Sequence, residues 1–74
     1  AAHSAHACDA HMALHWFCRW LDTHDPDDGV MAGRATARLA TGYGWIAPGY
    51  GDATWEPAEV VVRITMHGQE KARG

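Results

Sequence analysis

The chain has 74 residues, a length that allows one small domain spanning 1–74. Hydrophobic residues make up 47% and the formal net charge is −3. That balance fits a folded chain and lacks the dense basic patch that nonspecific nucleic-acid binding needs, so nucleic acid is not an expected partner. Chains of this size bury only about 60% of their extended surface, so a metal, a disulfide or a partner is expected to supplement the core.

No apolar run approaches the roughly 18 residues of a membrane-spanning helix, so no membrane insertion is expected. No basic start followed by an apolar stretch marks a signal peptide, and the compartment stays open. Residues 1–6 and 68–74 are expected to be flexible termini.

Every histidine except His67, and both cysteines, precede Asp25. At the very start, a free amine on Ala1, two deprotonated backbone amides and the His3 imidazole would form a square-planar site for copper or nickel. Residues 7–22 contain good helix formers and no Gly or Pro, which predicts a helix. Ser4 can cap an early start, and a start near Cys8 fits equally.

Cys8, His11, His15 and Cys18 are spaced by three, four and three residues, which on a helix draws one stripe. Met12, Trp16, Phe17, Trp20, Leu21 and Leu14 form a broad apolar sector away from it. Cys and His are zinc ligands, so the stripe is read as a structural or assembly metal site, zinc first and copper or nickel next. One straight helix cannot wrap all four side chains around one ion, because Cys8 and Cys18 lie about 15 Å apart at ~1.5 Å per residue. His3, His6 or His24, or the same residues of a second copy, would have to complete the shell. The same distance rules out an intrachain disulfide across an intact helix.

Thr23-His24-Asp25-Pro26 should stop the helix, and Asp25-Pro26-Asp27-Asp28-Gly29 reads as a turn. It lacks the later ligands of a calcium-binding loop. Residues 34–41 alternate Arg34, Thr36, Arg38 and Ala40 with Ala35, Ala37, Leu39 and Thr41, which suggests a strand. Residues 60–67 alternate more strongly, with Val60, Val62, Ile64 and Met66 expected inward. Between them two Gly-Tyr-Gly units flank Trp45-Ile46, a candidate third strand before the Pro48-Gly49 turn. The expected fold is therefore α+β, one N-terminal helix on a small antiparallel sheet of two or three strands.

Tyr43, Trp45, Tyr50 and Trp55 either cover that sheet or anchor a partner. Cys8 or Cys18 with His11 or His15 resembles a nucleophile and base, but no oxyanion loop or orienting third residue accompanies them. A binding protein is expected rather than an enzyme. The leading expectation is a small metal-binding protein that self-associates or meets a protein partner. The alternative is a metal-free protein-interaction module that uses exposed Trp and Tyr.

Overall fold

The computed structural model describes residues 4–73, and among them it contains three helices and no strand. Helix α1 is Ala5–Thr23, α2 is Pro26–Tyr43 and α3 is Pro57–Arg73. The expected α+β architecture is thus corrected to a three-helix bundle.

Helix α1 contains the segment expected over 7–22. Ser4 is its N-cap, with Oγ accepting from the Ala7 amide at 3.0 Å. His24 ends it in the left-handed region, φ 56°, and its amide donates to the Trp20 carbonyl. The following Asp-Pro turn starts a new helix instead of a loop. Asp25 is the N-cap, its carboxylate accepts from the Asp27 amide at 3.0 Å, and Pro26 takes the first helical position. Asp27 and Asp28 lie in the first turn, where negative charge suits the helix dipole.

Both expected strands are helical because the three- and four-residue period wins over the two-residue one. In α2 the buried positions are Asp28, Ala32, Thr36 and Leu39, with Ala35 half-buried beside them. In α3 they are Val60, Ile64 and His67. Val62 and Met66, which alternation turns inward, are 58% and 63% exposed. The β-branched residues that favour a strand are accommodated locally. Thr36, Thr41 and Thr65 each donate their hydroxyl to the carbonyl four residues back, at 2.7, 3.0 and 2.8 Å. Glu59 in the first turn of α3 and Lys71 and Arg73 in its last turn match the helix dipole. Trp45-Ile46 belongs to an irregular connection, not to a third strand.

Helix α1 packs on both α2 and α3, whereas α2 and α3 do not pack on each other. Contacts at both ends set the directions. Arg19 meets Asp28, and Asp9 meets Arg38 and Tyr43, so α2 runs antiparallel to α1. His6 meets His67, and Phe17 meets Trp55 just before α3, so α3 is antiparallel to α1 as well. Residues 44–56 therefore cross from one end of the bundle to the other. Their aromatic side chains supply the volume that α2 and α3 do not share.

The core consists of Ala10, Ala13, Phe17, Ala32, Leu39, Ala47, Val60 and Ile64. Phe17 is its largest side chain and is fully buried. Trp20, Tyr50 and Trp55 surround Phe17 with ring centroids 5.9, 5.7 and 6.3 Å away, each near edge-to-face. The Trp20 indole in turn lies against the backbone of Gly29. A Cβ there would sit 2.9 Å from Trp20 Cε2 and Nε1.

Two glycines in α2 should respond oppositely to alanine. Gly42 has open space around its would-be Cβ. Gly42→Ala should stabilise by about 0.5–1 kcal/mol through helix propensity and the unfolded state. Gly29→Ala gains the same propensity but must displace a packed indole, and overpacking of about 1–3 kcal/mol outweighs it. Urea unfolding followed by far-UV circular dichroism should show a higher midpoint for the first variant and a lower one for the second.

Candidate interaction surface

The Cys–His stripe lies on the outer side of α1. Cys8, His11, His15 and Cys18 are all exposed, and both thiols are free. Among the described residues no three His, Cys, Asp or Glu side chains converge to hold a metal ion. The zinc reading, and with it copper or nickel at this stripe, is therefore corrected. The residues share a face, as their spacing requires, but among the described residues no second element brings further ligands to it. The Ala1–His3 copper or nickel site lies outside the described residues.

The stripe is also not simply opposite the apolar sector. Met12 stands beside it, 47% exposed, while Phe17 faces the core. His15 instead packs edge-on against Trp16, with centroids 5.1 Å apart.

Two histidines that sequence spacing does not connect meet at the end of the bundle. His6 Nε2 and His67 Nε2 are 2.7 Å apart, so one ring donates and the other accepts. Each ring is covered by a flat partner. Tyr43 stacks on His6 at 4.0 Å and 12°, and Trp45 stacks on His67 at 3.8 Å and 7°. The Tyr43 hydroxyl donates to Asp9 Oδ2 at 2.7 Å, and this bond is the main reason the phenol titrates above its usual value. Asp9 also pairs with Arg38 Nε at 3.5 Å.

The knot ties α1, α2, the crossover and α3 together. Its facing nitrogens are already engaged with each other, so its chemistry is structural.

A groove of about 630 Å³ opens between α1 and α3 on the stripe side. Helix α1 contributes Ala7, Cys8, Ala10, His11, Met12 and Leu14, and α3 contributes Ile64, Thr65, Gly68, Gln69 and Ala72. No Asp, Glu, Lys or Arg lines it. Its floor is low because small residues meet there. A Cβ on Gly68 would lie 3.4 Å from the Ala10 Cβ.

The smaller depression between α1 and α2 has the opposite character, with Asp9, Arg34 and Arg38 in its wall. Cys8 and His11 were singled out from the sequence. The α3 side of the groove is hidden in the sequence because residues 60–67 alternate like a strand and residues 68–74 have the polar composition of a chain terminus. Its signal was the uncharged series Val61, Thr65, Gly68, Gln69 and Ala72 at helical spacing.

The aromatic crossover is partly exposed. Trp45, Tyr50 and Trp55 are half-buried, while Tyr43 and Ile46 face outward. This cluster is consistent with a protein-interaction surface, although stacking already occupies one face of several rings. No helix among the described residues is long and apolar enough to cross a membrane. No protein-family model matches the chain, and no significant match exists among curated proteins or solved structures.

The histidine knot makes stability depend on pH. Burial holds His67 below the usual histidine value of 6.5, with further lowering from His6 and Lys71 and opposition from Glu70. The unfolded chain therefore binds a proton at His67 more readily than the fold does. This contribution is complete above about pH 6.5 and is lost as pH falls through that value toward the lower folded pKa. Urea midpoints should decline between about pH 7.5 and pH 5. His67→Gln should flatten that decline while lowering stability at the upper pH.

Proposed function

We propose that this protein is a protein-interaction module that binds through the face formed by α1 and α3. The observation that carries the reading is the uncharged, largely apolar groove between those helices. Ligand grooves are mostly apolar with a few placed polar groups. Here the sulfur of Cys8, the imidazole of His11 and the amide of Gln69 are those groups. A groove walled by two helices suits an amphipathic helix, which would lay apolar residues at i, i+3, i+4 and i+7 along the floor.

The exposed apolar side chains extend the same face. Met12 lines the groove from α1. Val62 lies three residues before Thr65 and so borders it on α3. The outward Tyr43 and Ile46 are a secondary contact at the crossover. Truncating Trp45 or Tyr50 is a poor test of binding, because Trp45 covers His67 and Tyr50 packs on Phe17. A binding role, not catalysis, is part of this reading.

Selection from a library of random helical peptides provides the test. Selected binders should carry the i, i+3, i+4, i+7 apolar pattern. Fluorescence anisotropy should show at least about tenfold weaker binding to Gln69→Glu and Thr65→Glu, because each places a charge under the peptide. Binders that ignore both substitutions, or a selection that returns none, would remove the reading.

A further inference from the structure

We propose that the hollow between α1 and α2 is a second binding site, one that takes an acidic peptide segment of a partner protein with an apolar side chain among its carboxylates. It belongs to a different helix pair from the groove above and stands whether or not that groove binds.

Ion pairs close both ends of the α1–α2 seam. At one end Arg19 Nε faces Asp28 Oδ1 at 3.3 Å, and Asp28 Oδ2 accepts from the Thr23 hydroxyl at 2.6 Å. At the other end Arg38 Nε faces Asp9 Oδ1 at 3.5 Å, and Asp9 Oδ2 accepts from the Tyr43 hydroxyl. Both carboxylates are thus engaged through both oxygens. Between them along α2 stands Arg34, exposed and, among the described residues, without an ion pair. The seam therefore sets the guanidinium groups of Arg19, Arg34 and Arg38 against two committed carboxylates. It carries a positive excess on a chain whose net charge is −3.

Arg34 stands at the rim of an apolar floor. Met12 and Trp16 from α1 and Met31 and Ala35 from α2 line the hollow beside it. Trp16 is half-buried, and its indole is braced on two sides. Arg19 Cζ lies 6.0 Å from the ring centroid, and His15 packs edge-on. The hollow measures about 240 Å³. Small-molecule pockets run to roughly 300–1,000 Å³, so this one suits a single side chain of a larger partner. Trp and Arg are also the residue types that carry most of the energy at protein interfaces.

These features define the occupant. A Leu, Met or Phe side chain fills the hollow against Trp16 and the two methionines. A neighbouring carboxylate meets the Arg34 guanidinium through paired hydrogen bonds. Arg38, about 6 Å further along α2, and Arg19, beyond Trp16, attract acidic residues on either side. A polyphosphate is the poorer match. It needs several uncompensated cations, whereas Arg34 alone is uncompensated here and Asp22 and Asp27 lie at the Arg19 end.

Fluorescence anisotropy with a panel of short labelled peptides, each with one central Leu, Met or Phe flanked by glutamates, tests the site. The best members should bind with Kd at or below about 100 µM. Arg34→Gln should weaken them at least about fivefold through loss of a charge-assisted hydrogen bond. Arg34 is exposed and unpaired, so this variant should keep its fold, which circular dichroism checks. Arg63→Gln removes the same charge from an exposed position on α3 and should leave binding unchanged. Serine in place of the central apolar residue of the peptide should also weaken it.

No binding by any panel member up to about 1 mM would overturn the proposal. Equal losses in Arg34→Gln and Arg63→Gln would overturn it by showing attraction to charge in general. A single-stranded oligonucleotide of equal charge that binds as tightly as the peptides would overturn it in favour of a phosphate site. Peptides that respond to Gln69→Glu and not to Arg34→Gln would lie in the α1–α3 groove. That result would overturn this proposal and leave the interaction reading standing.

Discussion

The fold depends on how closely other helices can approach α1. Its inward positions are Ala7, Ala10 and Ala13, followed by Phe17. Three small side chains in succession let α3 come near enough for Gly68 to sit against Ala10. They also let α1 serve as the shared partner of two helices that do not pack on each other. The consequence is a thin core at that end, because alanine buries little area. Volume has to come from elsewhere, and the aromatic residues of the crossover supply it. Phe17, Trp20, Tyr50 and Trp55 fill one end, while Tyr43, His6, His67 and Trp45 close the other. The aromatics are thus scaffold first, and their outward edges are what remains available for contact.

Helix α1 was legible because its signals agree: good formers, no breaker, and a clear stop before Pro26. Helix α3 was not, because Val60, Val61, Val62, Ile64 and Thr65 favour a strand by local preference and also alternate. Tertiary packing chose the helical face instead, leaving Val62 and Met66 outside. Helix α2 was hidden for a related reason. Asp25-Pro26-Asp27-Asp28-Gly29 has the composition of a turn, and the same residues form an N-cap and a first turn. Only the continuing series Ala32, Thr36 and Leu39 separates the two outcomes.

The site was legible in part. The Cys8–His11–His15–Cys18 spacing does define one face of a helix, but shared facing does not supply converging ligands. The more consequential property of that face is its lack of charge. It becomes visible only when α3, once recognised as a helix, adds its own uncharged side. The His6–His67 pair could not be read from spacing at all, since its members lie at opposite ends of the chain. It places a pH-sensitive contact where the four chain segments converge. The groove shares Ala7 and Ala10 with the seam that holds the bundle together, so the same small residues shape both the core and the binding face.

The alanine seam is tested most directly at Ala13, which is fully buried and does not line the groove. Urea unfolding of Ala13→Leu should show a loss of about 1–3 kcal/mol, because the added methylenes push α1 away from its neighbours. Ala37→Leu, on the exposed side of α2, should stay within about 0.5 kcal/mol of the parent. Equal stability of the two variants would contradict the account, because it would mean that α1 does not need its small inward face.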